Sequence, residues 1–312
     1  MENLSLSFNV VAPLIVYMIV GALLRRAGVV SRESLSQLSS LLFYTAVPAL
    51  CMDNLRSQDL STVFSDPFAL LIGGGIVLVF LVTFALVPRF STSPQRRGVL
   101  IHSIFRSNDG VFGLAVASLL FGEENMGLMI VCIAITVPIY NALAVFVMEY
   151  YRGGKPSVKR ILCQLVKNPI LIACVLGIGL SLCKLDLPPV LARPLSALGA
   201  TCAPLGFVAL GGMLTFDSLR ENRRAITAVS VLRLLVIPVL FLSLFYALGY
   251  RGDHMLIVLI LFGAPTAMTV FPMACGMNGD RDLAGGIVAV TSTLSLLTIF
   301  LFIFLLKQTG VA

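Results

Sequence analysis

Ten apolar runs, each of about 15 to 25 residues, dominate the 312-residue chain. The hydrocarbon core of a bilayer is about 30 Å thick, and an α-helix crosses it in roughly 20 residues. Because lipid cannot hydrogen-bond a bare backbone, runs of this length indicate membrane-spanning helices. The sequence therefore predicts an all-α integral membrane protein with ten spans, at residues 8–24, 34–52, 68–87, 99–120, 126–149, 169–183, 190–214, 225–248, 254–276 and 283–306.

The composition agrees with lipid as the solvent. Apolar residues make up 58% of the chain and charged residues 12%, and the mean hydropathy is +0.99. Charged residues are about a quarter of a typical soluble domain. The net charge of +7 is scattered over the gaps between the runs, so we expect the bilayer rather than a nucleic acid as partner. The seven cysteines form no CxxC pair, which predicts small buried hydrophobes and no metal site.

The basic residues predict the orientation of the chain. Of the 22 Lys and Arg, fifteen lie in the gaps after odd-numbered runs and five lie at the chain ends or in and beside the even gaps. Only Arg106 and Arg233 lie deep within runs. Because cytoplasmic loops are enriched in Lys and Arg, we expect the odd gaps in the cytoplasm and both termini outside the cell membrane.

A basic connection at residues 150–168 divides the runs into two sets of five, so we expect a first repeat at 1–149 and a second at 169–312. An odd number of spans in each half predicts that the halves enter the membrane from opposite faces, as an inverted repeat. Two spacings support this prediction. Pro48 and Pro204 are 156 positions apart, and so are Asp109 and Pro265.

Run four is interrupted by polar residues and glycines. It contains Arg106, Asn108 and Asp109, followed by Gly110 and Gly113. A charge at mid-bilayer costs about 2.5–3.5 kcal/mol on insertion scales, so such residues usually face a cavity or a partner. The glycines permit local unwinding, which predicts a break near Asp109.

Run nine is interrupted at the matching position. Pro265 lacks an amide hydrogen and disturbs the preceding turn, and Gly263 adds freedom. Thr266 and Thr269 supply hydroxyl groups next to the break. Two helices broken at matching positions of inverted halves are expected to cross at mid-membrane, where their half-helix N-termini favour an anion.

Other runs carry further polar candidates. Arg233 lies in run eight, and Tyr140 and Asn141 lie in run five. We expect Arg233 and Tyr140 to support a site at the crossing. His102 and His254 lie near the ends of runs, where an interfacial position is expected.

Each candidate also has a plainer interpretation. Arg106 and Asp109, three positions apart, would neutralise each other on one helix face. Pro265 would be a simple kink. Arg233 would snorkel to the interface or pair with a carboxylate such as Asp109. Asn141 would be a helix-packing amide rather than a cavity residue.

These residues resemble the auxin efflux carrier family, which includes plant PIN-type auxin transporters and bacterial malate or malonate permeases. The similarity extends over essentially the whole chain. It rests on the order of five short stretches, none of them diagnostic alone. They are the segment 106–114, the segment 138–141, the segment 210–214, Arg233 with Pro238, and the segment 263–267.

The resemblance implies a fold like that of the bile-acid symporters, with crossed and broken spans four and nine. Spans one, two, six and seven would form a scaffold, with a homodimer expected through it. Spans three to five and eight to ten would form a mobile transport domain. By this analogy Asn108 and Pro265 mark the crossing, and Asn141 faces the substrate.

We therefore expect a secondary active transporter that moves a small organic anion, such as malate, malonate or an auxin-like monocarboxylate, by elevator-type alternating access. A substrate site would comprise Asn108, Asp109, Asn141, Pro265 and Thr266. Asp109 is a candidate proton carrier, because a carboxylate at depth can have a raised pKa. No cofactor is expected, and the polar residues do not establish a sodium site.

Two other function classes compete with a carrier. They are a passive anion channel and a membrane sensor or partner subunit that transports nothing itself. An enzyme is not expected, because the chain has no HExxH, no GxSxG and no Ser/His or paired-Asp constellation across the runs.

Overall fold

A computed structural model of the chain describes residues 2–57, 67–91, 93–121, 127–152, 166–213 and 216–311, and all regular elements in these ranges are helical. Two π-helical turns, Asp109–Gly113 and Leu232–Val236, interrupt the α-helices. Of the predicted basic connection 150–168, residues 153–165 lie outside the described residues. The α-helices are α1 (Glu2–Arg26), α2 (Arg32–Tyr44), α3 (Ala46–Arg56), α4 (Pro67–Phe90), α5 (Pro94–Phe105), α6 (Leu114–Phe121), α7 (Gly127–Tyr150), α8 (Pro169–Leu182), α9 (Pro189–Ala200), α10 (Cys202–Met213), α11 (Phe216–Val231), α12 (Ile237–Ala247), α13 (Asp253–Gly263), α14 (Val270–Gly276) and α15 (Arg281–Gln308).

Each predicted apolar run coincides with one helix or with two successive helices, so the all-α prediction is confirmed. Among the described residues, six segments are long and apolar enough to cross a membrane, and α8 and α13 are apolar but shorter. The count of ten spans stays a prediction. The six segments are Arg32–Arg56, Pro67–Phe90, Gly127–Tyr150, Pro189–Met213, Leu219–Ala247 and Arg281–Gln308.

Prolines fix where two of the long segments break. Proline has no N–H and its ring clashes with the carbonyl four residues earlier. Helix α2 ends at Tyr44, four residues before Pro48, and α9 ends at Ala200, four residues before Pro204. The two breaks therefore lie at matching positions, 156 residues apart, for the same physical reason.

The helices pack in pairs that recur when the two halves of the chain are exchanged. Helix α1 packs on α10, and α8 packs on α3. Helix α4 contacts α5 and α7, while α12 contacts α13 and α11 contacts α15. The pairs α7–α8 and α15–α1 correspond in the same way. The packing divides the molecule into one group around α1, α2, α3, α8, α9 and α10 and a second group around α4, α5, α7, α11, α12, α13 and α15.

At one end of the molecule, the gap after run nine contacts the gaps after runs one, three and five. The gap after run one also contacts the end of run seven. We refer to this end, defined by Arg25, Arg32, Arg96, Arg152 and residues 277–282, as the basic end. The contacts are Arg32 Nη2 to Asp282 Oδ1 (2.5 Å), Arg96 Nη1 to Asp280 Oδ2 (3.2 Å), Asn278 Nδ2 to the Arg152 carbonyl (3.2 Å) and Arg25 Nη1 to the Gly212 carbonyl (2.8 Å).

A cavity of about 620 Å³ opens at the basic end, between α2, the end of α10 and the start of α15. Arg281 Nη1 donates to Ser36 Oγ across it at 2.8 Å. The cavity is therefore bounded by both packing groups. Its lining residues are Arg32, Glu33, Ser36, Met213, Gly279, Arg281 and Asp282.

Close approach of α1 and α10 depends on glycine. A Cβ atom at Gly211 would lie 2.0 Å from the Met18 carbonyl oxygen, and one at Gly21 would lie 1.9 Å from the Val208 carbonyl oxygen. Neither contact is sterically allowed for a larger residue, since both opposing atoms are backbone. Small residues at helix interfaces are the usual means of close packing in membranes.

We predict that Gly211→Ala lowers the melting temperature of the detergent-purified protein. The added methyl group must push α1 away from α10, and overpacking of this kind costs about 1–3 kcal/mol. Gly206→Ala, in the same helix, is the matched control, because a Cβ there meets no atom within 4 Å. Equal melting temperatures for the two variants would contradict the packing described here.

Candidate functional site

The two interrupted helices meet and pair through their backbones. Helix α5 ends at Phe105 and α13 ends at Gly263, and the extended residues that follow run antiparallel to each other. The pairing joins the peptide groups on both sides of a bridge between Ser107 and Thr266. Its hydrogen bonds are Asn108 N to Pro265 O (3.0 Å) and Ala267 N to Arg106 O (3.3 Å). We refer to residues 106–108 and 264–267 as the crossing.

The local sequence explains why both chains are extended here. Ala264 has ψ 154°, as expected for a residue before proline, whose ring disfavours the helical region. Arg106 has ψ 117°. The predicted interruptions are therefore present. In run four the α-helix ends at Phe105, four residues before Asp109, where the break is predicted and where a π-helical turn starts.

Arg106 places a cation beside the crossing. Its side chain is buried, and Nη2 donates to Asn141 Oδ1 at 2.7 Å. The Asn141 amide nitrogen in turn donates to two thiols, Cys51 Sγ at 3.4 Å and Cys174 Sγ at 3.3 Å. Asn141 thus fixes the guanidinium and links α7 to α3 and α8. The two interpretations of Asn141 are both correct, since it packs between helices and also lines a cavity.

Asp109 lies on the other side of Asn108 and starts the π-helical turn that contains Gly110. Its carboxylate is buried and accepts a short hydrogen bond from Thr136 Oγ1. Arg106 and Asp109 do not share a face of α5, because α5 ends at Phe105, before either residue. A cation and a carboxylate are instead held by separate partners on α7.

The two threonines of run nine have different surroundings. Thr266 Oγ1 donates to the Ser103 carbonyl at 2.9 Å, and its N–H donates to Thr291 Oγ1 at 3.3 Å. Thr266 therefore caps the C-terminal end of α5, because its hydroxyl donates to one of the last carbonyls of that helix. The Thr269 hydroxyl is buried and has no hydrogen-bond partner among the described residues.

Arg233 stabilises the crossing through hydrogen bonds to the backbone. It lies in the second π-helical turn and is fully buried, so it does not snorkel to the interface. Its three guanidinium nitrogens donate to backbone carbonyls at the ends of both half-helices. The bonds are Nε to Ala264 O (3.0 Å), Nη1 to Ile104 O (3.3 Å) and Nη2 to Leu261 O (3.2 Å).

Tyr140 is also buried, with its ring 6.0 Å from the Phe105 ring between centroids. His102 lies fully inside the protein, so the prediction of an interfacial position for it is wrong. His254 is only half-buried and packs against Phe68.

A cavity of about 40 Å³ lies against the crossing. It has room for only a few waters, since one water needs roughly 10–15 Å³. Three buried polar atoms of its lining residues have no partner among the described residues: Ser107 Oγ, Asn108 Nδ2 and Thr269 Oγ1. The lining residues are Leu50, Cys51, Asn54, Arg106, Ser107, Asn108, Asp109, Val137, Asn141, Ala267, Met268 and Thr269.

The structure thus brings Arg106, Asn108, Asp109, Asn141 and Thr269 together around one cavity. Pro265 and Thr266 contribute to the crossing instead, through backbone and capping bonds. Guanidinium, amide N–H and hydroxyl groups are donors of the kind that bind an anionic oxygen.

Sequence analysis did not single out several site residues. Thr136 carries a hydroxyl group in an otherwise apolar run, and this pattern in the sequence is only a weak indication of a site residue. Cys51 and Cys174 are free and buried, as predicted, but also accept hydrogen bonds from Asn141. Cys183 is exposed, contrary to prediction, and Cys163 lies outside the described residues. Among the described residues, no group of three or more His, Cys, Asp or Glu is arranged to hold a metal.

We predict that Thr266→Val destabilises the protein by about 1 kcal/mol, because the Ser103 carbonyl loses its donor. Thr269→Val is the matched control, since its hydroxyl has no partner and its loss leaves no orphan. Melting temperatures in detergent check both variants. A Thr269→Val variant as destabilised as Thr266→Val would contradict the assignment of capping to Thr266 alone.

Known proteins are similar in sequence to nearly the whole of this chain. A family model described as "Membrane transport protein" matches residues 6–303. An uncharacterized transporter of Methanothermobacter thermautotrophicus is 28% identical over 297 residues, covering 94% of this chain and 96% of that protein. A "Putative malonate transporter" of Rhizobium meliloti is 22% identical over 283 residues, covering 88% of each chain.

These matches, with several long apolar helices, identify a multi-pass membrane protein whose relatives are named as transporters rather than enzymes. The chain belongs to the membrane transport protein family, the auxin efflux carrier family that its motifs resemble.

Proposed function

We propose that the protein is a secondary active transporter that carries a small organic anion across the cell membrane. The observation that carries this proposal is the buried Arg106 guanidinium, fixed by Asn141 next to the unpaired Asn108 amide and Thr269 hydroxyl. A carboxylate is the natural ligand of such a set, because guanidinium binds it with two parallel hydrogen bonds.

The proposed topology is an inverted repeat of two five-span halves. It is supported by matched proline breaks at residues 48 and 204, by matched interruptions in runs four and nine, and by helix pairs that recur on exchange of the halves. The meeting of odd gaps at the basic end supports the predicted alternation of the spans. In this topology the basic end is cytoplasmic and both termini are outside.

The proposed mechanism is elevator-type alternating access. The scaffold corresponds to the packing group of α1, α2, α3, α8, α9 and α10, which would also provide a homodimer contact, and the transport domain corresponds to the second group. The cavity lies between them, with Leu50, Cys51 and Asn54 on α3 and the crossing opposite. Ligand sites usually measure about 300–1,000 Å³. The cavity is about 40 Å³, so a substrate enters only after the crossing moves away from α3.

Malonate is the first substrate to test, because one full-length relative bears its name. The proposed cycle requires neither a cofactor nor a metal ion. The 620 Å³ cavity at the basic end would serve as the route between the site and the cytoplasm.

We predict that Arg106→Gln reduces saturable malonate uptake into proteoliposomes at least about tenfold. The neutral amide cannot balance the charge of a carboxylate, and a charged hydrogen bond is worth about 1.5–3 kcal/mol. Arg89→Gln is the control, because Arg89 is exposed and donates only to the Ala85 carbonyl of its own helix. Counterflow should be saturable in wild type. Linear, non-saturable flux would favour a passive channel, and no flux or binding of any small carboxylate would refute the proposal.

We further propose that Asp109 carries the coupling proton. It is buried beside Arg106 and bound by Thr136, so a proton gained there would change the charge of the cavity. Wild-type uptake should then depend on pH, whereas Asp109→Asn should lose the part of that dependence that the carboxylate supplies. Glu221→Gln, which removes an exposed carboxylate on α11 that lines neither cavity, should retain the wild-type profile. An Asp109→Asn profile that follows wild type would remove this role.

A further inference from the structure

The breaks in runs four and nine leave specific carbonyl groups without helical donors. In α13 the Leu261 carbonyl would accept from residue 265, but Pro265 has no N–H. In α5 the Ile104 carbonyl would accept from Asn108, whose N–H donates instead to the Pro265 carbonyl. A buried carbonyl without a donor is costly, most of all in a membrane.

The same carbonyls concentrate negative charge. The C-terminal end of a helix carries a partial charge of about −0.5, so two helix ends at one point sum to about one negative elementary charge. In other carriers with discontinuous helices, such half-helix ends and unwound carbonyls coordinate a coupling cation. Here the guanidinium of Arg233 occupies this position and donates to Ile104, Leu261 and Ala264 at 3.0–3.3 Å.

We infer that Arg233 is a tethered counter-cation, built into the chain, that holds the two half-helix ends together and so positions the anion site. Its hydrogen bonds go to the backbone carbonyls of residues that do not line the cavity, so it is a positioning residue. Its effect reaches the site through the backbone. Ile104 lies two residues before Arg106. Ala264 directly precedes Pro265, whose carbonyl accepts a hydrogen bond from the Asn108 N–H. This inference rests on the proposed function only in its malonate-binding readout.

Chemical rescue tests the inference. Arg233→Ala leaves a buried space that free guanidinium ion fills with the same charge and donors, whereas urea fills it with a neutral molecule of similar shape. We expect Arg233→Ala to weaken malonate binding about tenfold or more, as expected for lost charged hydrogen bonds. Millimolar guanidinium should restore most of that affinity, and urea should restore none.

The matched control is Arg25→Ala. Arg25 also donates to the carbonyl at a helix end, that of Gly212, but at the basic end rather than at the crossing. Its loss should leave malonate affinity within about twofold of wild type, with no response to guanidinium. Recovery of Arg233→Ala by urea as well as by guanidinium would overturn the role of charge, and so would unchanged affinity without either.

Melting temperature provides a readout that does not need the anion. Guanidinium, but not urea, should raise the melting temperature of Arg233→Ala above that of the untreated variant. Should Arg233→Ala not fold, Arg233→Lys and Arg233→Gln decide the matter, since we expect the charged variant to be the more stable. A glutamine variant equal to or better than lysine would overturn the inference. Wild type that binds no carboxylate would refute the proposed function while leaving these stability results to judge Arg233.

Discussion

Within a bilayer, the peptide groups of an interrupted helix have no water to bind, and both interruptions of this chain lie in buried positions. Part of their demand is met by mutual pairing, in which Asn108 donates to the Pro265 carbonyl and Ala267 donates to the Arg106 carbonyl. Each break is therefore stabilised by the other. Arg106, Ser107 and Asn108, which line one side of the cavity, owe their positions to this pairing, because they lie on the backbone that makes it.

The crossing separates two electrostatic tasks. On one side, Arg233 balances the carbonyl ends of α5 and α13. On the other side, Arg106 faces the cavity with Asn141 as its fixed partner. Because the first cation satisfies the backbone, the second can serve a ligand. The sequence predicted that the half-helix N-termini supply the affinity for an anion. In the structure, the Arg106 guanidinium is a full positive charge that faces the cavity directly.

Much of the architecture was predictable because its causes are local. Proline removes a donor at a fixed position, so Pro48, Pro204 and Pro265 locate breaks directly in the sequence. The partners of the polar residues were not predictable, because they depend on where another helix ends. Arg106 and Asp109 have the spacing of a helical ion pair, yet the helix stops at Phe105. Thr266 and Thr269 are alike in sequence, and only the neighbouring Ser103 carbonyl gives them different roles.

An ion pair at the basic end joins the two packing groups, with Arg32 on α2 and Asp282 on α15. These two side chains are 48% and 41% exposed, and ion pairs of this kind contribute about 0–1 kcal/mol and weaken in salt. In the proposed elevator mechanism, a sliding motion between the groups would break this ion pair in every cycle, at an energetic cost comparable with thermal fluctuation. Turnover would therefore depend on the ionic strength of the compartment at this end of the molecule, because dissolved electrolyte weakens the ion pair that opposes sliding.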